Sequence, residues 1–138
     1  MLKIKRLRET ATLPTRAHSR DSGLDLHSSQ YAVIGARSTA TVPIGIAMDV
    51  PEGFEIQIRP RSGLSSLGIM ACFGTVDSSY RGEIRVTLVN HNNQEYSIGT
   101  GDRIAQAVIA KVELWTPVVC DSLSDTGRGS KGFGSSGI

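Results

Sequence analysis

Aromatic residues are scarce in this chain: three Phe, three Tyr and one Trp make up 5% of 138 residues. A core built from such a sequence must rest on Val, Ile and Leu, and it stays thin. Cysteine is scarcer still. Cys72 and Cys120 form no C-x-x-C pair and have no histidine at zinc-ligand spacing, which leaves a reduced, intracellular pair and excludes a disulfide framework. Charge of one sign is also lacking. Fifteen basic residues stand against 13 acidic ones, a net of +2, so no overall field favours bulk nucleic acid and any phosphate recognition must come from specific residues. The basic start Met1-Leu2-Lys3-Ile4-Lys5-Arg6-Leu7 leads into no apolar stretch of signal-peptide length, and no run is long enough for a bilayer. The expectation is a cytoplasmic protein, or a nuclear or viral-host intracellular one, that is not secreted and has no membrane contact.

Helical periodicity is the last absence. No long segment keeps a 3.6-residue period, so at most one short helix fits, best placed at Ser62 to Leu67. What the chain has instead is period-two alternation, as in Phe54-Glu55-Ile56-Gln57-Ile58-Arg59 and Glu83-Ile84-Arg85-Val86-Thr87-Leu88. Further strands are expected near 2–7, 38–42, 45–50, 95–98 and 103–110, with Gly, Pro, Asn or Asp at most junctions. The length suits one domain. The pattern predicts an all-β, jelly-roll-like barrel or sandwich over 1–121 with one short helix. Exposed sheet edges and a thin core also suit burial between identical subunits.

From Ser122 to Ile138 glycines and serines crowd around a single aromatic, Phe133, which predicts a mobile tail over 122–138. A tail of this composition can be a disordered end without a role. Arg128, Lys131 and Phe133 suit something else, because a cation and a ring on a flexible segment can close over a phosphorylated, planar ligand.

Four places could carry chemistry. In Arg59-Pro60-Arg61-Ser62-Gly63-Leu64 a strand meets a helix start, where unpaired N–H groups, the Ser62 hydroxyl and the Arg61 fork suit an anion. The plainer reading makes Ser62 an N-cap. In Gly74-Thr75-Val76-Asp77-Ser78-Ser79-Tyr80-Arg81-Gly82-Glu83, Asp77 is a candidate general base that deprotonates a water beside a metal-bound triphosphate, or else an Asx-turn former. Gln106, alone polar in Ile104-Ala105-Gln106-Ala107-Val108-Ile109, needs a partner: a ligand, a bound water or neighbouring backbone. Asp25 lies between two leucines, where either the waters of a magnesium ion or an arginine would satisfy it. One match is discarded. Gly132-Phe133-Gly134-Ser135-Ser136-Gly137 has the G-x-G-x-x-G spacing, but no helix follows and no βαβ unit contains it.

In this order the pieces resemble the five motifs of the trimeric dUTP pyrophosphatase family. They are Ser22-Gly23-Leu24-Asp25-Leu26, Pro60-Arg61-Ser62-Gly63-Leu64, Gly74 to Glu83, Gly101-Asp102-Arg103-Ile104-Ala105-Gln106, and Arg128 to Gly137. The resemblance implies a jelly-roll homotrimer that hydrolyses dUTP to dUMP and pyrophosphate with Mg2+, keeping uracil out of DNA and supplying dUMP for dTMP synthesis. Its three sites lie between subunits, the third motif coming from one chain, the first, second and fourth from another, and the tail from the last. By the same resemblance Asp77 orients the attacking water, and Tyr80 packs under the deoxyribose and excludes a 2′-hydroxyl. Arg61, Ser62, Gly63 and Gln106 hold phosphates, and Asp25 binds water on the magnesium. Arg128, Ser135 and Ser136, with Gly134 beside them, clamp the γ-phosphate while Phe133 stacks on uracil.

Two departures from the family pattern stand out. The stretch Ser65 to Phe73 is short and has Ala71-Cys72-Phe73 where many members carry an asparagine against the uracil edge. Base recognition then rests on main-chain groups of the hairpin before Asp77, at Gly74 and Val76. Ser130 and Lys131 stand where glycine is frequent. Among rivals, the related dCTP deaminases need a glutamate three positions before the asparagine matching Asn90, and Thr87 stands there instead. A non-catalytic nucleotide-binding regulatory module is a rival from another class, and an intact Asp77 speaks against it.

Overall fold

The computed structural model describes residues 1–132, and it is built almost wholly of short antiparallel strands. In chain order these are β1 (Lys3–Arg6), β2 (Gly23–His27), β3 (Ala32–Ile34), β4 (Thr39–Pro43), β5 (Ile46–Asp49) and β6 (Phe54–Arg59). A short helix α1 (Ser62–Ser66) comes next, followed by β7 (Ile69–Ala71), β8 (Gly74–Val76), β9 (Arg85–Asn90), β10 (Tyr96–Ile98) and β11 (Arg103–Lys111). They pair as a four-stranded sheet β2-β11-β6-β8, a three-stranded sheet β4-β9-β7, and the ribbons β1-β5 and β10-β3. This is the all-β architecture that the alternation predicts.

Alternation is visible in the burial of individual strands. In β6, Ile56 and Ile58 turn inward while Phe54 and Arg59 stay exposed, and in β9 Val86, Leu88 and Asn90 are buried. The largest fully buried side chains are aliphatic, including Leu26, Ile34, Ile44, Ile46, Ile56, Ile69, Leu88, Ile98 and Ile104, with Met48 among them. No described aromatic residue is fully buried, so the core has the aliphatic composition that the lack of aromatics demands.

Two boundaries differ from expectation. The strand expected over 83–88 begins at Arg85, because the Glu83 side chain is drawn to Arg8 and Arg85, and Ile84 bonds singly to Ile44 and Ile46 outside a regular ladder. Helix α1 ends one residue early, with Leu67 as its C-cap and Gly68 beyond it at φ 76°. After Lys111 no further strand or helix forms among the described residues, and nearly all of 113–132 is exposed. Among the described residues no helix is long and apolar enough to cross a membrane.

Asn90 organises the far end of the three-stranded sheet. Its buried amide donates to the carbonyls of Ile34, Gly35 and Gln94 at 3.1, 3.1 and 2.7 Å, and its Oδ1 accepts from Asn92 N–H at 2.9 Å. An aliphatic replacement strands several polar partners, each costing about 1–3 kcal/mol if left unpaired. Asn90→Ala is expected to lower unfolding free energy by about 2 kcal/mol or more, read as a reduced urea midpoint at unchanged slope.

Candidate active site

Strand β11 is bonded to β2 on one edge and to β6 on the other, with Gln106 opposite Asp25 on one side and Arg59 on the other. That pairing gathers residues far apart in the chain around one polar cavity of about 330 Å³. Its lining includes Asp25, Arg61, Ser62, Gly63, Arg103 and Gln106. The Asp25 carboxylate is held there by two guanidiniums, accepting from Arg61 Nε at 3.0 Å and Arg103 Nη1 at 3.4 Å. Of the two partners the sequence allows for Asp25, arginine is thus present. Arg61 also donates through Nη1 to the Arg103 carbonyl at 3.1 Å, which leaves its Nη2 without a partner among the described residues.

Helix α1 starts at Ser62 itself, with Arg61 in the N-cap position and no side-chain cap bond, so the capping role considered for Ser62 is absent. Ser62 and Gly63 line the cavity, so an oxygen-rich ligand there could satisfy the Ser62 hydroxyl and the unpaired N–H groups at the helix start. Gln106 resolves differently. Its Nε2 donates to the Pro60 carbonyl at 2.9 Å, so it braces the turn that presents Arg61 and Ser62. Gly23 is what permits this: a Cβ there would stand 2.2 Å from Gln106 Oε1. His27, on the same face of β2 as Asp25, has a buried Nδ1 without a partner among the described residues. Burial lowers its pKa below the ordinary imidazole range, and Arg103 and Arg61 add to this against the opposing pull of Asp25. The ring is therefore neutral at pH 7 and adds no third positive charge to those of Arg61 and Arg103.

A second cavity of about 270 Å³ lies at the other end of the sheet, lined by Ile58, Gly74, Val76, Asp77, Tyr80 and Arg85 among others. Strand β8 is the edge of its sheet, so its outward main-chain groups are free to face a ligand. Asp77 follows that strand, is exposed, and makes no ion pair among the described residues. Its carbonyl accepts from Tyr80 N–H at 3.1 Å, closing a turn, and both residues line the cavity. The Tyr80 hydroxyl donates to the Glu83 carbonyl at 3.0 Å.

The predicted residues therefore fall into two groups. Asp25, Arg61, Ser62, Gly63 and Gln106 share the first cavity, while Gly74, Val76, Asp77 and Tyr80 share the second. The groups do not meet. Val76 pairs with Ile56, five positions before Arg61 on the same extended segment, which puts roughly 15 Å between the two ends. Arg128 lies in neither lining, and its Nε donates to the Lys131 carbonyl at 2.8 Å. Phe133, Gly134, Ser135 and Ser136 lie outside the described residues. Sequence reasoning left Arg103 out of the candidate residues, although it stands three positions before Gln106 in the fourth motif, and a second cation beside a half-buried carboxylate was the signal to seek.

Among the described residues no three His, Cys, Asp or Glu side chains gather to enclose a metal ion. The first cavity offers two carboxylates, Asp21 and Asp25, the latter already engaged by arginines. That donor set does not make a protein cage. It fits magnesium, which keeps several waters and takes most of its remaining ligands from substrate phosphates.

A protein-family model described as dUTPase matches residues 9–137. The chain is 46% identical over 140 residues to the deoxyuridine 5′-triphosphate nucleotidohydrolase of Gloeothece citriformis, covering 99% of this chain and 97% of that protein. It is 42% identical over 140 residues to the enzyme of the same name from Helicobacter hepaticus, covering 99% and 89%. In three dimensions it is similar to the Staphylococcus bacteriophage 80alpha dUTPase with dUPNHPP, with a TM-score of 0.95, 28% identity, and coverage of 100% of this chain and 99% of that one. With both cavities carrying the motif residues and the match running through nearly the whole sequence, this chain belongs to the dUTPase family.

Proposed function

We propose that the protein hydrolyses dUTP to dUMP and pyrophosphate as a homotrimer, in sites that each combine the first cavity of one subunit with the second cavity of its neighbour. The observation that carries this is the separation of the two groups along β6. Asp77 and Arg61 stand roughly 15 Å or more apart within one chain, whereas groups acting together on a triphosphate must each reach it at about 3 Å. Two chains can bring them together. The segment after β11 supports the same assembly: Leu114, Trp115, Val118, Val119 and Leu123 are 71 to 97% exposed, an unpartnered apolar row that a neighbouring subunit would cover.

Within such a site each residue has a task that its surroundings suit. Arg61 Nη2, the Ser62 hydroxyl and the N–H groups of the first turn of α1 receive phosphate oxygens, with Arg103 adding charge. Magnesium, when bound with the substrate, neutralises phosphate charge, and Asp25 would hold one of its waters. Asp77, free of ion pairs, takes a proton from the water that attacks the α-phosphorus. As the new P–O bond forms, the bond from the α-phosphorus to the bridging oxygen breaks and pyrophosphate departs. Tyr80 lies against the deoxyribose, and the free main chain of β8 at Gly74 and Val76 reads the uracil edge. The tail 122–138, led out by the exposed segment before it, brings Arg128 to the γ-phosphate, with Gly134, Ser135 and Ser136 beside it and Phe133 over the base. Work on free nucleotide calls for no nucleic-acid or membrane partner, and the cytoplasm is where this substrate is met.

Asp77→Asn is expected to reduce pyrophosphate release from dUTP by about a hundredfold or more with little change in nucleotide affinity. Equal rates would remove Asp77 from the chemistry. Deleting residues 127–138 should abolish turnover while sedimentation still reports a trimer. The shared site has its own test. Co-expressed Asp77→Asn and Arg61→Ala chains, each inactive alone, should regain about a quarter of wild-type activity, since random assembly restores that fraction of composite sites. Failure to complement would place both groups in one chain.

A further inference from the structure

The residue that fixes Tyr80 lies outside every motif. Arg8, just past β1, forks onto the Glu83 carboxylate, Nε to Oε1 at 2.7 Å and Nη2 to Oε2 at 3.3 Å. Arg85 adds a third contact, Nη2 to Oε2 at 3.3 Å. The Glu83 side chain is only 15% exposed, and the hydrogen bond from Arg8, the largest influence, holds its carboxyl below the usual range, so it stays charged at neutral pH. Arg8 itself is anchored. Its Nη1 donates to Gln30 Oε1 at 3.2 Å, its carbonyl accepts from Ala11 N–H at 3.1 Å, and Leu7 N–H next to it bonds the Gly45 carbonyl at 2.8 Å.

The other end of Glu83 meets the nucleotide cavity. Its main-chain carbonyl accepts the Tyr80 hydroxyl at 3.0 Å. Gly82 lies so close under the phenol that a Cβ there would stand 2.4 Å from the hydroxyl oxygen and 2.5 Å from Cζ. The ring is thus fixed from below by a glycine and at its tip by a carbonyl, and the residue owning that carbonyl is gripped through its side chain by two arginines. Apart from these, Tyr80 is 46% exposed, so little else among the described residues restrains its tilt.

We propose that the Arg8–Glu83 ion pair is a positioning device for Tyr80 and thereby sets how strictly the enzyme rejects a 2′-hydroxyl. This rests on the reading of Tyr80 as the surface under the sugar. Rejecting an added hydroxyl by close packing depends on ring placement to a fraction of an ångström, because the excluded group is small and there is no unpaired partner to penalise it. Arg8 never touches the nucleotide. It acts by holding the Glu83 backbone, and an ion pair that only stapled the N-terminal strand to the sheet would affect both sugars alike.

The test compares kcat/KM for dUTP and UTP in the trimeric enzyme, for wild type, Arg8→Met, Arg8→Lys, Glu83→Gln, the double variant Arg8→Met/Glu83→Gln, and Tyr80→Phe. Thermal unfolding establishes that each is folded. The dUTP-to-UTP ratio is expected to fall on the order of tenfold in Arg8→Met and Glu83→Gln, and by less in Arg8→Lys, which keeps the charge but loses the fork. The double variant should lose no more than the worse single one, because the pair acts as a unit. Tyr80→Phe, which removes the hydroxyl alone, should reproduce the loss. A ratio unchanged in Arg8→Met and Arg8→Lys, with both substrates slowed in parallel or not at all, overturns the positioning role while leaving dUTP hydrolysis intact. A wild-type enzyme inert towards dUTP overturns the proposed function and this inference with it.

Discussion

Strand β11 carries the structure, because among the described strands it alone is hydrogen-bonded to neighbours over most of its length on both edges, and it lies in the middle of the largest sheet. Ile104, Ala105 and Ala107 are buried on it almost completely, and the small alanines let adjacent layers approach closely. Arg103 and Gln106 sit at its start. Their placement sets Asp25 through the β2 register and the Pro60 turn through the Gln106 amide. Displacing β11 by one residue would turn Gln106 to the other face and disperse the cavity, so the register that secures the core also assembles the groups proposed to bind phosphate.

The alternating strands were legible because one face is buried and the other is wet. Phe54–Arg59 and Arg85–Asn90 show this plainly. Three-residue strands such as Ala32–Ile34 and Ile69–Ala71 were not, since a period of two cannot be recognised in so few positions, and their pairing with β10 and β9 comes from distant sequence. At the site, the chemistry of individual residues was legible from their settings: a carboxylate between leucines, an amide on an apolar strand, a serine and a glycine at a helix start. Their grouping was legible through the family resemblance alone and not from the residues themselves. Nothing local in Asp77 or Arg61 reveals that a strand holds them apart, nor that Gln106 spends its amide on Pro60. The Arg8–Glu83 contact spans 75 positions and has no sequence signature at all.

The proposed division of the site between subunits, with Asp77 as base, has an energetic logic. A single chain that held Asp77 beside Arg61 and Arg103 would pair the carboxylate with a guanidinium, and a base so engaged is a poor acceptor of a proton. At opposite ends of β6 the two kinds of charge cannot neutralise each other within the chain. Asp77 thus stays free of ion pairs among the described residues, and the arginines keep a carboxylate of their own in Asp25.

Asp25 also answers a problem that the cations create. Arg61 and Arg103 both border the cavity, and two like charges facing one space repel and splay unless something between them is negative. By accepting from both, Asp25 holds them in place before any ligand arrives, and it uses only part of each fork. In the proposed site the remaining N–H groups then meet phosphate oxygens without a large search through rotamers, which is where a flexible cationic side chain ordinarily loses much of its binding energy. Removing the carboxylate would therefore not simply make the cavity more positive and tighter for anions. It would free two long side chains to separate, and the order needed to align a triphosphate for in-line attack would have to come from the substrate itself.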